Sequence, residues 1–164
     1  MVMPDGQQLL RPASPAFIGL SITIVFAFSL LSSGKWIPDI LLLVLTFWGI
    51  HQPLRIGMGI AFALGIGMDV QQTTLLGQHA LAYVFVMFMA YSIRLRLLWF
   101  SPTTQAGMLL PIFLLAYGLQ VLVYTASGNK LPESWLLLAP ISEALLWPFV
   151  SKLLLAPQYA KLRR

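Results

Sequence analysis

Six long apolar runs fill most of this 164-residue chain. A lipid hydrocarbon core about 30 Å thick is crossed by roughly 20 mostly apolar helical residues. Several of the runs are shorter than that, and they would have to include interfacial residues or lie in a thinned bilayer. The runs lie at Ala16–Leu31, Ile37–Ile50, Ile56–Val70, Ala80–Ile93, Ala106–Tyr124 and Trp135–Leu155. Six spans would use ~120 residues. The sequence therefore predicts an all-α integral membrane protein, a bundle of six transmembrane helices, with residues 1–164 forming a single polytopic membrane domain.

Composition excludes the main alternative classes. Charged residues make up 9% of the chain, against about 25% in a soluble domain, and the 59% hydrophobic content is the reverse of a disordered segment. The absence of cysteine excludes disulfides, thiolate metal sites and cysteine nucleophiles. The first run follows Arg11 and ends in Ser32, Ser33 and Gly34, so a secretory signal and a membrane anchor both fit it.

The basic residues predict the orientation of the bundle. When the connections are numbered alternately, eight Lys and Arg residues fall on one side of the membrane and two on the other. The eight are Arg11, Arg55, Arg94, Arg96, Lys152, Lys161, Arg163 and Arg164, and the two are Lys35 and Lys130. Positive residues near span ends stay in the cytoplasm, so both termini are predicted to be cytoplasmic: a short segment at residues 1–15 and a basic tail at residues 156–164. The net charge of +5 then suits anionic headgroups, and no basic face interleaved with aromatic residues indicates nucleic-acid binding.

Small residues form two tracks along the third run, each with a four-residue spacing. One track is Gly57, Ala61 and Gly65, and the other is Gly59, Ala63 and Gly67. Two residues turn a helix by about 200°, so the tracks lie on nearly opposite sides. Because small residues let helices approach closely in lipid, the third span is predicted to be a central helix packed on both flanks.

Polar side chains are predicted to gather in the outward half of the bundle. Asp39 follows Pro38 at a helix start, where a carboxylate interacts favourably with the helix dipole. Asp69 continues the first small-residue track, and its role stays open between holding helix-end amides and binding or relaying protons. His79 has no second ligand at metal-binding spacing, which favours a hydrogen-bonding role at the interface over metal binding.

Glu143 lies inside the sixth run, at a predicted depth of roughly 12 Å. An ionisable group there costs at least ~2.5 kcal/mol on insertion scales, so a partner is expected. Gln120, on the preceding run at a predicted depth of roughly 6 Å, is the candidate for a buried polar pair with Glu143. Structural and functional roles for Glu143 both stay open. Templates such as HExxH, GxSxG and GxxxxGK are absent from the sequence, so no enzyme, cofactor or metal is predicted.

From Trp36 onward the order of motifs resembles the rod shape-determining protein MreD family. The motifs are W-I-P-D-I-L-L-L-V-L-T-F-W, then Pro53 and Arg55, then the G-x-G at Gly65 with Asp69, then T-L-L-G-Q-H-A-L at 74–81, and near the end L-L-W-P-F. The matching positions are Pro38, Asp39, Gly65, Asp69, Leu76, Gly77, Trp147 and Pro148. Where that family often carries an asparagine, four residues before the tryptophan, this chain has Glu143. The resemblance therefore does not imply a need for its charge.

The resemblance implies a non-catalytic scaffold or regulator of rod shape in the bacterial inner membrane. Its implied partners are the lipid bilayer, an MreC-like single-span protein, and the elongation complex of MreB, RodA and its penicillin-binding transpeptidase; a homodimer stays open. The family's helical arrangement resembles the substrate-capture subunits of energy-coupling-factor transporters. A solute-binding transporter subunit is the rival hypothesis, and it is favoured by the outward polar cluster of Asp39, Asp69, His79, Gln120 and Glu143. Such subunits dock their motor through a groove on the first helix, and Gly19, Thr23 and Ala27 match that groove loosely.

Overall fold

The computed structural model describes residues 13–31, 38–128 and 138–160, and these form six α-helices. The helices are α1 (Pro15–Leu31), α2 (Ile40–His51), α3 (Met58–Gln71), α4 (Gln78–Trp99), α5 (Pro102–Ala126) and α6 (Leu138–Ala160). The all-α prediction is confirmed. The expected starts at Ile37 and Trp135 lie outside the described residues, as do six of the ten basic residues: Arg11, Lys35, Lys130, Lys161, Arg163 and Arg164. Helix α6 continues five residues past the predicted end at Leu155, into the segment expected to be a tail.

Helix length supports three of the six predicted spans. Within the described residues, three helices are long and apolar enough to cross a membrane: α4, α5 and the part of α6 from Leu138 to Pro157. Helices α1, α2 and α3 have 17, 12 and 14 residues, or ~26, ~18 and ~21 Å at 1.5 Å per residue. The apolar run that predicts the second span includes residues before Asp39 that are not part of α2.

The central helix of the bundle is α2, so the prediction that the third span is central is wrong. Every residue from Leu41 to Ile50 is buried, and α2 contacts α1, α4 and α6. Helix α3 packs mainly on α4 and only slightly on α1. The physical reason is that α2 is apolar all round, which suits a helix enclosed by others. Small residues, by contrast, are compatible with both a packed and an exposed face.

Aromatic side chains fix α2 within the bundle. The Trp48 indole donates a hydrogen bond to the Ser21 hydroxyl of α1 (2.9 Å), and Phe47 lies 5.1 Å from Trp48 and 6.3 Å from Trp147 of α6, measured between ring centroids. Gly49 leaves room for α4, because a Cβ there would lie 2.5 Å from the Met87 Cε atom. These contacts give α2 defined neighbours on three sides.

One buried amide connects the last three helices. The Gln105 side chain of α5 donates to the Leu97 and Phe100 carbonyls at the end of α4 (2.9 and 3.0 Å). Its Oε1 atom accepts from the Trp147 indole of α6 (3.0 Å). The Leu97 carbonyl also accepts from the Phe100 amide (3.1 Å). Helix ends leave carbonyls short of intrahelical donors, so Gln105 adds donors at the end of α4 while its Oε1 atom holds α6.

Candidate functional site

The described acidic residues all lie at one end of the bundle. Asp39 precedes α2, Asp69 lies in the last turn of α3, and Glu143 lies in the second turn of α6. Consecutive helices run in opposite directions, so the starts of α2 and α6 meet the end of α3. Tyr83, in the second turn of α4, is at the same level. We call Asp39, Asp69, His79, Tyr83 and Glu143 the carboxylate end.

Asp69 is fully buried and accepts several hydrogen bonds. Its Oδ1 atom accepts from the His79 backbone amide (2.8 Å) and the Thr74 hydroxyl (3.1 Å), and it lies 2.8 Å from His79 Nδ1. Its Oδ2 atom accepts from the Gly77 amide (2.8 Å) and, at 3.4 Å, from the Ala80 amide. These amides belong to the start of α4, whose first N–H groups have no intrahelical acceptor. Asp69 therefore joins the end of α3 to the start of α4.

The first small-residue track faces this junction. Gly65 lies one turn before Asp69, and a Cβ on it would be 2.4 Å from the Ala80 Cα atom and 2.7 Å from its backbone nitrogen. Ala61 is fully buried. Gly57, at the start of the track, is open, since a Cβ there would meet no described atom within 4 Å. Close approach of α3 and α4 is thus concentrated at Gly65.

The second track faces away from α4. Gly59 and Ala63 are exposed, and a Cβ on Gly59 would meet no described atom within 4 Å. Gly67 meets α1, since a Cβ there would lie 3.0 Å from the Phe26 ring. The second track is therefore packed against α1 at Gly67 and exposed at Gly59 and Ala63.

Asp39 and Glu143 form a second carboxylate site, between α2 and α6. The Asp39 Oδ1 atom caps α2 by accepting from the Leu42 amide (3.0 Å), and its Oδ2 atom accepts from the Tyr83 hydroxyl. The Asp39 amide donates to Glu143 Oε1 (3.3 Å), and Glu143 is 7% exposed. The His79 and Tyr83 rings pack edge to face, 6.3 Å apart, so α4 connects this site to Asp69.

The structure does not pair Gln120 with Glu143. Gln120 is half-buried on α5, and no hydrogen bond joins the two side chains in the part of the chain that the structure describes. Glu143 uses the Asp39 amide instead. Two residues on adjacent helices of a hairpin can be predicted to lie at a similar depth in the membrane. Whether their side chains meet depends on how each helix is rotated about its own axis, and the sequence does not predict that rotation.

Two buried polar residues are not predicted from the sequence: Tyr83 at the carboxylate end and Gln105 at the opposite end of the bundle. Tyr83 follows His79 by four residues, a spacing that puts both on one helix face, and this was the available signal for it. Gln105 lies in the first turn of α5, among residues that resemble an exposed helix start. Its burial at 3% exposure depends on the way α4 and α6 close over it.

The remaining residues of the family-like motifs differ in how deeply they are buried. Gly77 has a φ of +103°, a conformation that glycine adopts readily, and it begins α4. Leu76 beside it is 72% exposed, whereas Trp147 is fully buried. Pro38 and Pro148 are half-buried. Among the described residues, no group of three or more His, Cys, Asp or Glu side chains could hold a metal ion.

An all-helical bundle with three helices long and apolar enough to cross a membrane is typical of helical membrane proteins. The family model described as rod shape-determining protein MreD matches residues 9–156. The chain therefore belongs to the MreD family, and its role is in the determination of rod shape. No curated protein and no solved structure matches it.

Proposed function

We propose that this protein is a non-catalytic scaffold and regulator of cell-wall elongation in the bacterial inner membrane. It would act with an MreC-like single-span protein, MreB, RodA and its penicillin-binding transpeptidase. The observation that carries this proposal is the family match over residues 9–156. A scaffold stabilises one arrangement of its partners because it binds that arrangement more tightly than the alternatives. Such binding requires an accessible contact surface on the scaffold.

In this proposal all six helices cross the membrane, with both termini in the cytoplasm. The segregation of charge supports it, because Asp39, Asp69 and Glu143 lie at one end while Arg55, Arg94, Arg96 and Lys152 lie at the other. Basic residues near span ends favour the cytoplasmic side. Helices α1 to α3 would cross through a locally thinned bilayer, at a cost of fractions of a kcal/mol per Å of mismatch.

The outer face of α3 is the contact surface we propose for the single-span partner. Gly59 and Ala63 are exposed there, and small residues allow two helix backbones to approach closely in lipid. A central third span, as the sequence predicts, would have no free face for a partner helix. The peripheral position of α3 removes that objection.

Co-expression with the MreC-like protein and affinity purification in mild detergent test this proposal. Gly59→Leu should reduce co-purification by about tenfold, equivalent to ~1.4 kcal/mol, because the larger side chain holds the partner helix away. Gly118→Leu on α5 is the matched control, since Gly118 is also exposed with no described atom within 4 Å of an added Cβ. Equal retention by both variants contradicts the contact surface. Failure of the wild-type pair to co-purify, with normal rod shape after depletion, contradicts the function itself.

A solute-binding subunit is the second candidate function. The observation that favours it is Glu143, which is 7% exposed, lies beside Asp39 and has one described hydrogen bond, at 3.3 Å. A buried carboxylate with spare acceptor capacity could receive a donor group from a small molecule. Direct binding of a vitamin-like ligand to the purified protein, lost in Glu143→Gln, would favour this candidate over the scaffold.

A further inference from the structure

The end of the bundle opposite the carboxylate end carries unbalanced positive charge. Its described cationic side chains are Arg55, Arg94, Arg96 and Lys152. The acidic residues that the structure describes are all at the other end, and the one ion pair found there joins His79 to Asp69. Within the described ranges, the four cations therefore have no carboxylate partner.

Two of these arginines are held in place by backbone carbonyls, one at the end of α2 and one just before α1. The Arg94 Nε atom donates to the Ile50 carbonyl at the end of α2, and the Arg55 Nη1 atom donates to the Ala13 carbonyl before α1. A guanidinium has five N–H donors, so each of these contacts leaves further donors on a group whose position is already fixed. Little side-chain entropy remains to be lost when an acceptor arrives.

The turn that carries Arg55 is itself fixed to α4. The Tyr91 hydroxyl donates to the Ile56 carbonyl, and Arg94, one turn further along α4, holds the Ile50 carbonyl. Two side chains of one helix face thus hold both ends of the turn. Arg94 therefore lies at one end of the turn that carries Arg55, and both arginine side chains are anchored to backbone carbonyls.

Exposed aromatic residues indicate the level of this surface in the membrane. Trp99 and Phe100, at the end of α4, are 58% and 45% exposed, and Leu95 is 72% exposed. Trp is enriched where a membrane protein meets the headgroup layer, and apolar side chains face the acyl chains beside it. Arg94 precedes Trp99 by about one and a half helical turns, or ~7.5 Å, so it lies close to the layer of lipid phosphates.

We propose that Arg55 and Arg94 form a binding site for the phosphate of an anionic phospholipid headgroup. The planar guanidinium matches phosphate with two parallel hydrogen bonds, and the surrounding charge is complementary to an anionic lipid. The position at the headgroup level favours a lipid over a soluble phosphate or an acidic protein segment. The site does not depend on the proposed scaffold function, because it requires only that this end of the bundle meets the membrane surface.

Native mass spectrometry of the full-length protein tests the site. The purified protein is incubated with equal amounts of phosphatidylglycerol and phosphatidylethanolamine, and retention of each lipid is measured. The wild type should retain the anionic lipid with a preference of about tenfold. Equal retention of the two lipids overturns the proposal.

Charge-matched variants separate a defined site from general attraction. The Arg55→Gln/Arg94→Gln double variant should lose the preference. The Arg96→Gln/Lys152→Gln double variant removes the same charge from side chains with no described backbone anchor, and it should keep the preference. The same loss in both variants overturns the site in favour of diffuse electrostatics.

A lysine variant tests the site if the double glutamine variant does not fold. Arg55→Lys/Arg94→Lys keeps the charge but loses the planar guanidinium groups, so the preference for the anionic lipid should fall. An undiminished preference overturns a guanidinium site.

Competitors test whether the ligand is a lipid. Millimolar inorganic phosphate and a glutamate-rich peptide are added separately to the lipid-bound protein. Persistence of the bound lipid supports the proposal, and its displacement by either competitor overturns the lipid assignment.

Discussion

Asp69 and Glu143 are two buried carboxylates at the same end of the bundle, and they differ in how many donors reach them. Asp69 accepts from the backbone amides of Gly77 and His79 at 2.8 Å and from further groups beside them. Glu143 accepts one described hydrogen bond, from the Asp39 amide at 3.3 Å. In both cases the donors include a backbone amide at a helix start, where N–H groups lack intrahelical acceptors. Burial alone therefore does not distinguish a structural carboxylate from one that can still accept further hydrogen bonds. The number of donors that reach the carboxylate makes that distinction.

The largest expected effect is the loss of Asp69. Asp69→Ala leaves several buried amides without an acceptor, and each buried donor left unsatisfied costs about 1–3 kcal/mol of unfolding free energy. Glu143→Ala removes a single long hydrogen bond and should cost about 1 kcal/mol. Thermal unfolding in detergent measures both variants. Equal destabilisation would mean that the difference in donor number has no energetic consequence.

The second effect tests the close packing beneath Asp69. Gly65→Ala puts a Cβ within 2.4 Å of the Ala80 Cα atom, so α3 and α4 must separate, at a cost of about 1–3 kcal/mol. Gly59→Ala, on the exposed track of the same helix, should leave the unfolding free energy unchanged or raise it slightly, because alanine is the better helix former. An unfolding temperature for Gly65→Ala that matches wild type would show that the two helices do not touch there.

The third effect concerns the turn that presents amides to Asp69. Gly77 has a φ of +103°, so Gly77→Ala should cost about 1–2 kcal/mol through backbone strain. Gly118→Ala is the control, because Gly118 lies in a regular helix with open space around it. Hydrogen exchange at the start of α4 should speed up in the first variant and stay as in wild type in the second. Unchanged exchange in both would contradict a role for this turn in holding α4.

The smallest expected effect is that of Glu143→Gln. The amide oxygen can still accept from the Asp39 amide, so the unfolding free energy should change by less than about 1 kcal/mol. If the protein is a scaffold, cells that carry this variant should keep their rod shape. Loss of shape with a folded protein would instead assign Glu143 a chemical role, as in a solute-binding subunit or an intramembrane enzyme.

The order and approximate bounds of the helices follow from hydropathy, and the start of α2 follows from Pro38 and Asp39, whose chemistry suits a helix start. The rotation of each helix about its axis does not follow. Two tracks of small residues predict two packed faces, yet in α3 one faces α4 at Gly65 and the other is exposed at Gly59. Spacing along a helix gives the depth of Glu143, whereas its partner depends on which side of α6 meets α2.

The direction in which the carboxylate end faces is the claim on which the proposed function and partners most depend. The chain contains no cysteine, so single cysteines can be labelled in intact cells with a membrane-impermeant maleimide. Gln72→Cys, in the turn between α3 and α4, should react. Leu54→Cys, in the turn between α2 and α3, and Ser101→Cys, between α4 and α5, should react only after permeabilisation. Labelling of either of those two in intact cells, or protection of Gln72→Cys, would contradict six crossings with the carboxylates outside.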